Sequence, residues 1–171
     1  KTGFGVPQLS ALQDCRKVDR VLISDGGIRI PGDAVKALAA GADFVMLGGM
    51  LAGTDETPGE FVELVVDGKK TKKKRFRGMA SKEAQEDYMG HMSEWKTAEG
   101  ICLDVPCRGP VREVILDLMG GIRSGMTYCG AATIKDLQRK AQFMEITAAG
   151  RIESMPHALD TFPVQLHHFS A

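Results

Sequence analysis

Residues 20–49 have the sequence RVLISDGGIRIPGDAVKALAAGADFVMLGG, and this stretch decides the fold class. The apolar run from Arg20 to Ile23 predicts a short buried strand that stops at a glycine doublet. A helix follows, with Asp33 in its first turn and Gly41 as its stop. A second apolar strand, Phe44 to Leu47, ends in another glycine doublet. Strand, glycines, helix, strand, glycines is the order typical of a parallel α/β protein.

The segments on either side of this unit first extend the pattern and then break it. A helix is predicted from Pro7 to Cys15, ahead of the first strand. Later, the runs Glu60 to Val66 and Lys72 to Arg77 flank an Asp-Gly turn and predict a β-hairpin. A helix of mixed polarity is predicted from Ser81 to Met92. We interpret residues 53–109 as one excursion from the core, of the kind that forms a lid or binding element in enzymes.

The helical pattern returns in the C-terminal third of the chain. Pro110 stands where proline begins helices well, and apolar residues follow it at steps of three and four. A second short helix is predicted from Thr133 to Lys140, with Thr133 as its N-cap. An apolar strand is predicted from Phe143 to Ile146, and residues 150–171 are predicted to form a tail.

The composition is that of an ordinary globular protein. The chain has 171 residues, 43% of them hydrophobic, with 22 Lys plus Arg against 22 Asp plus Glu. The zero net charge argues against a dedicated binder of nucleic acid or membrane surfaces, because both usually carry a basic excess. No apolar run approaches the ~18 residues of a membrane span, and residues 1–3 show no signal-peptide pattern. We therefore expect a cytoplasmic protein that binds a small or ionic ligand.

The cysteine and histidine positions give no sign of a metal centre. The four cysteines, Cys15, Cys102, Cys107 and Cys129, are irregularly spaced and lack the second pair that a structural zinc site would show. We expect all four to be reduced. His167-His168 have no third ligand nearby in sequence, so we interpret them as part of a frayed terminus.

The two glycine doublets are the strongest chemical feature. Successive strands of a parallel barrel send their turns to the same face, and glycine there lets backbone N–H groups approach an oxyanion. Gly26, Gly27, Gly48 and Gly49 therefore suit a phosphate group, and the Asp25 carboxylate suits two adjacent sugar hydroxyls. A ribose 5′-phosphate satisfies both requirements. The alternative is that the doublets are only tight strand-to-helix turns.

Three further segments have both a structural and a functional interpretation. The basic run 69–77 could be a nucleic-acid patch, but at a hairpin tip such a run more often protects a sheet edge. Glu99 lies in an irregular stretch and could serve proton transfer or be a surface residue. Residues 124–130 could be a plain helix end, or a polar edge for part of a nucleotide cofactor.

Five stretches together resemble the C-terminal part of the IMP dehydrogenase and GMP reductase family. They are Ile23-Ser24-Asp25-Gly26-Gly27, residues 41–53 (GADFVMLGGMLAG), Arg77-Gly78-Met79, Ala98-Glu99-Gly100 and Gly120-Gly121-Ile122-Arg123-Ser124. The resemblance runs from Lys1 to about Ala149. It implies a TIM (β/α)8 barrel, usually a homotetramer, that binds a purine nucleoside 5′-monophosphate at the carboxyl ends of its strands. Because such a barrel takes about 250 residues, we expect residues 1–171 to be the C-terminal segment of one catalytic domain.

The resemblance also implies a mechanism. A family Cys attacks purine C2, and a Thr in the same loop handles the proton with help from a Glu. That loop is expected immediately before Lys1, so none of the cysteines of this chain takes its place. Loss of ammonia from GMP and hydride delivery from NADPH then give IMP. A monovalent cation such as K+ is a further cofactor that the resemblance admits.

Site residues follow from the same resemblance. The catalytic residue is Glu99. The substrate-binding residues are Asp25, Gly26, Gly27, Gly48, Gly49, Gly78, Met79, Lys96 and Gly100. The cofactor-binding residues are Met79, Trp95, Lys96, Ser124, Gly125, Met126 and Thr127. No metal, nucleic-acid or membrane site is implied.

Residues 81–100, which we call the flap, distinguish the two activities of the family, GMP reductase and IMP dehydrogenase. Residues 81–100 contain no Arg-Tyr pair, which IMP dehydrogenases use to activate water, and instead resemble the GMP reductase pattern of a Glu before a Gly. Residues 1–3 and 7–11 also resemble GMP reductases. We therefore expect NADPH-dependent reductive deamination of GMP to IMP and ammonia. The alternatives are NAD-dependent oxidation of IMP to XMP and noncatalytic nucleotide binding.

Some positions depart from the GMP reductase pattern. Ala80 and Ala98 stand where Ser is frequent, and Lys96 stands where Arg is frequent. The tripeptide Arg77-Gly78-Met79 resembles IMP dehydrogenases. Contacts to the base and the cofactor are therefore the part of the site where this chain is expected to differ.

Overall fold

The computed structural model describes residues 3–66, 68–91, 95 and 97–155. The chain divides into two compact units, Lys1–Ala141 and Gln142–Ala171. In chain order the elements are α1 (Gln8–Cys15), β1 (Ile23–Asp25), α2 (Pro31–Ala39), β2 (Phe44–Met46), β3 (Phe61–Val66), β4 (Lys69–Arg77), α3 (Lys82–Met89), β5 (Cys102–Pro106), α4 (Val111–Tyr128), α5 (Ile134–Lys140) and α6 (Ala148–Glu153).

The parallel unit predicted from residues 20–49 is present. β1 and β2 pair in parallel, with Ile23 opposite Phe44 and Asp25 opposite Met46, and α2 connects them. Pro31 begins α2, where a missing N–H costs nothing because the first helical amides have no partner in the helix. The described residues thus form a mixed α/β structure with one parallel pair of strands and one three-stranded antiparallel sheet.

Both strands of the pair are shorter than predicted, and β1 begins three residues later. The Arg20 amide donates to the Val18 carbonyl at 2.9 Å, in a turn. The Leu22 amide donates to the Asp43 carboxylate at 3.0 Å. Turn and side-chain acceptors therefore take the amides that a strand from Arg20 would use. β2 ends at Met46, one residue before the predicted Leu47.

The core of the first unit lies where α2 meets α4 and α5, and small residues allow a close approach. A Cβ added to Gly121 would lie 2.2 Å from the Pro31 Cβ, and one added to Gly125 would lie 2.7 Å from Val35 Cγ1. Buried apolar side chains complete the core: Leu12, Ile28, Leu38, Met50, Leu118, Ile122 and Leu137.

The excursion contains the predicted hairpin and a strand that the sequence pattern did not predict. β3 and β4 pair with Phe61 opposite Lys74. β4 begins at Lys69, three residues earlier than predicted, because the lysines continue the ladder. β5 pairs with the other side of β4, with Cys102 opposite Arg77.

Helix α3 is shorter than predicted. It ends at Met89 because Gly90 adopts the left-handed conformation (φ 77°) that stops helices. Its N-cap is Ser81, whose hydroxyl accepts a hydrogen bond from the Ala84 amide at 3.2 Å. The predicted end, Met92, lies outside the described residues.

The helices α4 and α5 confirm the predictions, whereas the strand predicted from Phe143 to Ile146 is wrong. Thr133 caps α5 by accepting a hydrogen bond from the Asp136 amide at 3.1 Å. Residues 142–147 have no regular structure, and Thr147 caps α6 instead. The described part of the second unit offers no strand to pair with, so a strand there would leave its N–H groups without acceptors.

Two remaining predictions concern the ends of the chain and membranes. His167-His168 and most of the predicted tail lie outside the described residues; residues 150–153 belong to α6. In the ranges that the structure describes, no helix is long and apolar enough to cross a membrane.

Candidate nucleotide site

The carboxyl ends of β1 and β2 meet at one edge of the parallel pair. Asp25 is the last residue of β1 and lies opposite Met46, the last residue of β2. Because neighbouring strands are only about 4.8 Å apart, the glycine doublets that follow the two strands emerge side by side. Asp25 is exposed at this edge. The structure thus brings together the residues predicted for ribose and phosphate.

The two doublets differ in their reason for containing glycine. Gly26 and Gly27 have φ of 100° and 78°, which side chains rarely allow, so the turn itself requires glycine. Gly48 and Gly49 lie outside that region, and a Cβ added to either would meet no atom within 4 Å. Neither conformation nor packing in the described part of the chain requires glycine there. The tight-turn alternative therefore explains the first doublet but not the second.

A tight turn of backbone begins at the second doublet. The amides of Leu51 and Ala52 both donate to the Gly48 carbonyl, at 3.0 and 3.2 Å. The amides of Gly49 and Met50 come earlier and have no acceptor inside this turn. Since Gly49 carries no side chain, an oxyanion could approach these N–H groups closely.

The residues predicted to lie along the base come from the excursion, and backbone contacts hold them together. The Gly78 amide donates to the Ile101 carbonyl at 2.9 Å, and the Gly100 amide donates to the Ala80 carbonyl at 2.8 Å. A Cβ added to Gly100 would lie 2.4 Å from the Ser81 nitrogen, so only glycine permits this approach. We call these paired segments, residues 78–81 and 100–101, the flap base.

Three predicted functional side chains of the excursion are exposed. Met79 belongs to the flap base and is 85% exposed, Glu99 directly precedes Gly100 of the flap base, and Trp95 is 94% exposed. Lys96 lies outside the described residues. The exposed side chains of Met79 and Trp95 offer apolar surface of the kind that a planar ring stacks on.

The residues predicted for the cofactor on α4 do not share one face. Successive helical residues differ in direction by 100°, so four in a row must point around the helix. Gly125 faces Val35, and Met126 packs against the core. Ser124 and Thr127, three residues apart, are exposed. Of the four, these two have side chains available to a ligand.

A groove of about 660 Å³ opens at the opposite edge of the parallel pair and contains none of the predicted site residues. Asp43 lies in this groove. Its carboxylate accepts a hydrogen bond from the Leu22 amide and pairs with the Lys135 ammonium at 3.0 Å. Both interactions hold the pKa of Asp43 below its usual value, and the hydrogen bond from Leu22 has the larger effect. This end of the parallel pair is therefore lined by the Asp43–Lys135 ion pair and a single glycine, Gly41, rather than by a glycine doublet.

The cysteines are free thiols, as predicted. Within the described ranges no three His, Cys, Asp or Glu side chains come together in a way that could hold a metal ion.

Residues 1–157 match the family model of the IMP dehydrogenase / GMP reductase domain. The chain is 50% identical over 151 residues to GMP reductase 2 of Homo sapiens, covering 86% of this chain and 42% of that protein. It is 45% identical over 173 residues to inosine-5′-monophosphate dehydrogenase of Methanocaldococcus jannaschii, covering 91% of this chain and 34% of that protein. The chain thus spans less than half the length of these relatives.

Two solved structures are similar to this chain. One is a GMP reductase variant from Trypanosoma brucei in complex with guanosine 5′-monophosphate, with a TM-score of 0.81 and 46% identity, covering 92% of this chain and 33% of that one. The other is inosine 5′-monophosphate dehydrogenase from Legionella pneumophila, with a TM-score of 0.70 and 56% identity, covering 88% and 46%. The chain therefore belongs to the IMP dehydrogenase / GMP reductase family, whose members are oxidoreductases of purine nucleotides.

Proposed function

We propose that the full-length protein, meaning the natural chain that contains residues 1–171, is a GMP reductase. It catalyses the NADPH-dependent reductive deamination of GMP to IMP and ammonia in purine salvage. Residues 1–171 form the C-terminal segment of its TIM barrel, with 53–109 as the hairpin and flap excursion. The observation that carries the proposal is the second glycine doublet. In the described part of the chain neither conformation nor packing requires glycine there, and the Gly49 and Met50 amides have no acceptor inside the turn.

In this proposal the nucleotide is held by groups at one sheet edge. The Asp25 carboxylate accepts hydrogen bonds from both ribose hydroxyls, and the backbone amides at the two doublets donate to the phosphate oxygens. Backbone dipoles supply the positive end of this interaction, which agrees with a chain that has 22 basic and 22 acidic residues. Gly78 and Met79 lie along the purine, and their position follows from the contacts of the flap base.

Glu99 is proposed as the catalytic residue of this segment. It lies on an irregular stretch immediately before the Gly100–Ala80 contact, so its backbone is fixed on one side while its side chain is exposed. Its carboxylate accepts a hydrogen bond from the Thr that the family resemblance places before Lys1. That hydrogen bond orients the Thr for proton transfer during loss of ammonia.

NADPH supplies the hydride for this reaction. Met79 and Trp95 fit the apolar face of its nicotinamide ring, and we propose Lys96 as a further contact from the family resemblance alone. The exposed Ser124 hydroxyl fits its polar part, as does the exposed Thr127 hydroxyl, which donates to the Arg123 carbonyl and can still accept. Gly125 and Met126 face the molecule's interior, and their carbonyls accept hydrogen bonds from Cys129 and Ala131, so we place neither in contact with the cofactor. We further propose a cytoplasmic homotetramer that takes a monovalent cation such as K+.

IMP dehydrogenase is the second candidate, because the Legionella pneumophila neighbour is 56% identical and Arg77-Gly78-Met79 resembles that branch. Sequence identity does not separate the two, since GMP reductases from Mus musculus, Homo sapiens and Leishmania donovani are 45–50% identical to this chain and three IMP dehydrogenases are 45–48% identical. Two observations favour GMP reductase. Residues 81–100 lack the Arg-Tyr pair. The neighbour with a TM-score of 0.81 is a GMP reductase in complex with GMP.

Steady-state assays of the full-length protein decide between the candidates. GMP-dependent NADPH oxidation with release of one ammonia per NADPH supports GMP reductase. NADH formation from IMP and NAD, without NADPH oxidation by GMP, would identify an IMP dehydrogenase. Binding of GMP without either reaction would identify a noncatalytic relative.

A further inference from the structure

Lys74 is a buried cation in the middle of the excursion. It lies in β4 and is only 3% exposed, although lysine is almost never fully buried without a partner. Its ammonium donates to the carbonyls of Thr54 and Asp55, at 2.8 and 3.0 Å, and stands 5.0 Å from the centre of the Phe61 ring. Two backbone carbonyls, rather than a carboxylate, therefore hold this charge.

The two carbonyls belong to the root of the excursion, which we define as residues 53–55 and 106–109, where the chain leaves the core and returns to it. Thr54 forms a parallel bridge with Gly109, and the Asp55 amide donates to the Gly109 carbonyl at 2.9 Å. A Cβ added to Gly53 would lie 2.2 Å from the Pro106 carbonyl oxygen. The outgoing and returning segments are thus closely packed before Lys74 adds a contact from the hairpin.

Lys74 also stands between the two halves of the proposed nucleotide site. On one side, its acceptor Thr54 is fixed to the turn that starts at the second doublet, since the Thr54 hydroxyl donates to the Leu51 carbonyl at 2.9 Å. On the other side, β4 runs from Lys74 to Arg77 and then directly into Gly78 of the flap base. A short stretch of backbone, a turn on one side and the end of β4 on the other, therefore separates each half from the ammonium.

We propose that Lys74 is a positioning residue that sets the distance between the flap base and the phosphate turn. Charged hydrogen bonds are short and strong, and a buried setting strengthens them further. The ammonium therefore ties β4 to the root at a fixed separation. This inference rests on the proposed function in one respect, that the flap base and the phosphate turn bind the same nucleotide. The contact of Lys74 with the Thr54 and Asp55 carbonyls, which we call the tie, does not depend on the proposed function.

The test variant is Lys74→Met, which keeps the length and apolar stem of the side chain but removes its donors. Both carbonyls then lose the ammonium, and the Thr54 carbonyl keeps only its hydrogen bonds from the Thr57 hydroxyl and amide. The matched control is Lys70→Met, because Lys70 lies in the same strand, opposite Val65, and is exposed. If Lys74→Met does not fold, Lys74→Gln replaces it. Its amide nitrogen is uncharged and one bond nearer the backbone, so the charged hydrogen bonds are lost and the same outcomes decide.

Hydrogen exchange of the full-length protein measures the tie directly. In Lys74→Met the amides of Asp55 and Arg108 in the root, and of Gly78 and Gly100 in the flap base, should exchange about tenfold faster or more, as expected when a local opening becomes easier. In Lys70→Met their exchange should match that of the wild type. Unchanged exchange in Lys74→Met would overturn the proposal.

Kinetics with GMP measure the consequence for the site. A misplacement of ~1 Å can cost about 100-fold in rate, so kcat of Lys74→Met should fall at least about tenfold. KM for GMP should change far less, because Asp25 and the doublets are untouched. Faster exchange with an unchanged kcat would reduce Lys74 to a structural role and overturn the positioning role. If the wild type does not act on GMP, the proposed function fails, while the exchange result still decides the tie.

Discussion

Replacing Gly49 by alanine should weaken nucleotide binding without weakening the fold. Gly49 lies outside the left-handed region, and a Cβ there would meet no atom within 4 Å. Alanine therefore introduces neither strain nor a clash in the described part of the chain. It also reduces the conformational freedom of the unfolded chain. The free energy of unfolding should stay within about 0.5 kcal/mol of the wild type or rise by up to about 1 kcal/mol.

The effect on binding follows from where the new methyl group would stand. In the proposed site a phosphate oxygen approaches the Gly49 and Met50 amides, and the Cβ would hold it away. Losing one hydrogen bond to a charged group costs about 1.5–3 kcal/mol. Since about 1.4 kcal/mol corresponds to a tenfold change in Kd, GMP should bind about 10- to 100-fold more weakly.

Isothermal titration of the full-length protein with GMP and with guanosine measures this effect. Guanosine lacks the phosphate, so its affinity should be the same in Gly49→Ala and in the wild type. The matched control is Gly120→Ala, because Gly120 is exposed in α4 and also has nothing within 4 Å of an added Cβ. It should stabilise the helix by up to about 1 kcal/mol and leave binding unchanged. Unchanged affinity of Gly49→Ala for GMP, or equal weakening for guanosine, would refute the phosphate assignment.

Three further changes test other parts of the molecule. Gly125→Ala should lower the free energy of unfolding in urea by about 1–3 kcal/mol, because the new Cβ would lie 2.7 Å from Val35 Cγ1. The double variant Gly125→Ala, Val35→Ala should recover part of this loss. If it recovers none, the packing argument is contradicted. The pKa of Asp43 is lowered from 3.8, chiefly by the hydrogen bond from the Leu22 amide. Below pH 3.8 the native state therefore binds fewer protons than the unfolded state. The contribution of Asp43 to the free energy of unfolding is present above pH 3.8 and is lost as the pH falls through its native pKa. Unfolding followed from about pH 6 to pH 2 should therefore show a smaller loss in Asp43→Asn, and identical profiles would oppose this. Glu99→Gln should abolish ammonia release from GMP but retain part of the hydride exchange, whereas unaltered ammonia release would remove Glu99 from catalysis.

The parallel unit could be predicted from sequence because its elements follow from local patterns. Apolar runs, glycine stops and Pro31 each act within a few residues. The exact start of β1 could not be predicted in this way. It depends on Asp43, 21 residues after Leu22, taking the Leu22 amide. Strand ends that are set by a distant side chain are beyond a local pattern.

The excursion shows the same limit more strongly. β5 is short, and its pattern of Leu103 and Val105 around a single charged residue, Asp104, is too brief to distinguish it from an irregular stretch. In the basic run every lysine looks alike. Only the register of β4 and the position of the root make Lys74 buried while Lys70 is exposed.

In the candidate site, the adjacency of the two doublets could be predicted because parallel strands send their ends to one edge. The inward direction of Gly125 could also have been found. Leu118, Ile122 and Gly125 follow at steps of four and three, which places Gly125 on the apolar face of α4. The close approach of residues 78–81 to residues 100–101 could not be predicted from the sequence, because it depends on β5 pairing with β4.

A crystal structure of the full-length protein with bound GMP tests the central assignment most directly. The proposal predicts phosphate oxygens within hydrogen-bond distance of the backbone nitrogens at residues 26–27 and 48–50, with both ribose hydroxyls on the Asp25 carboxylate. A phosphate bound away from both doublets, or a ribose that does not contact Asp25, would contradict it.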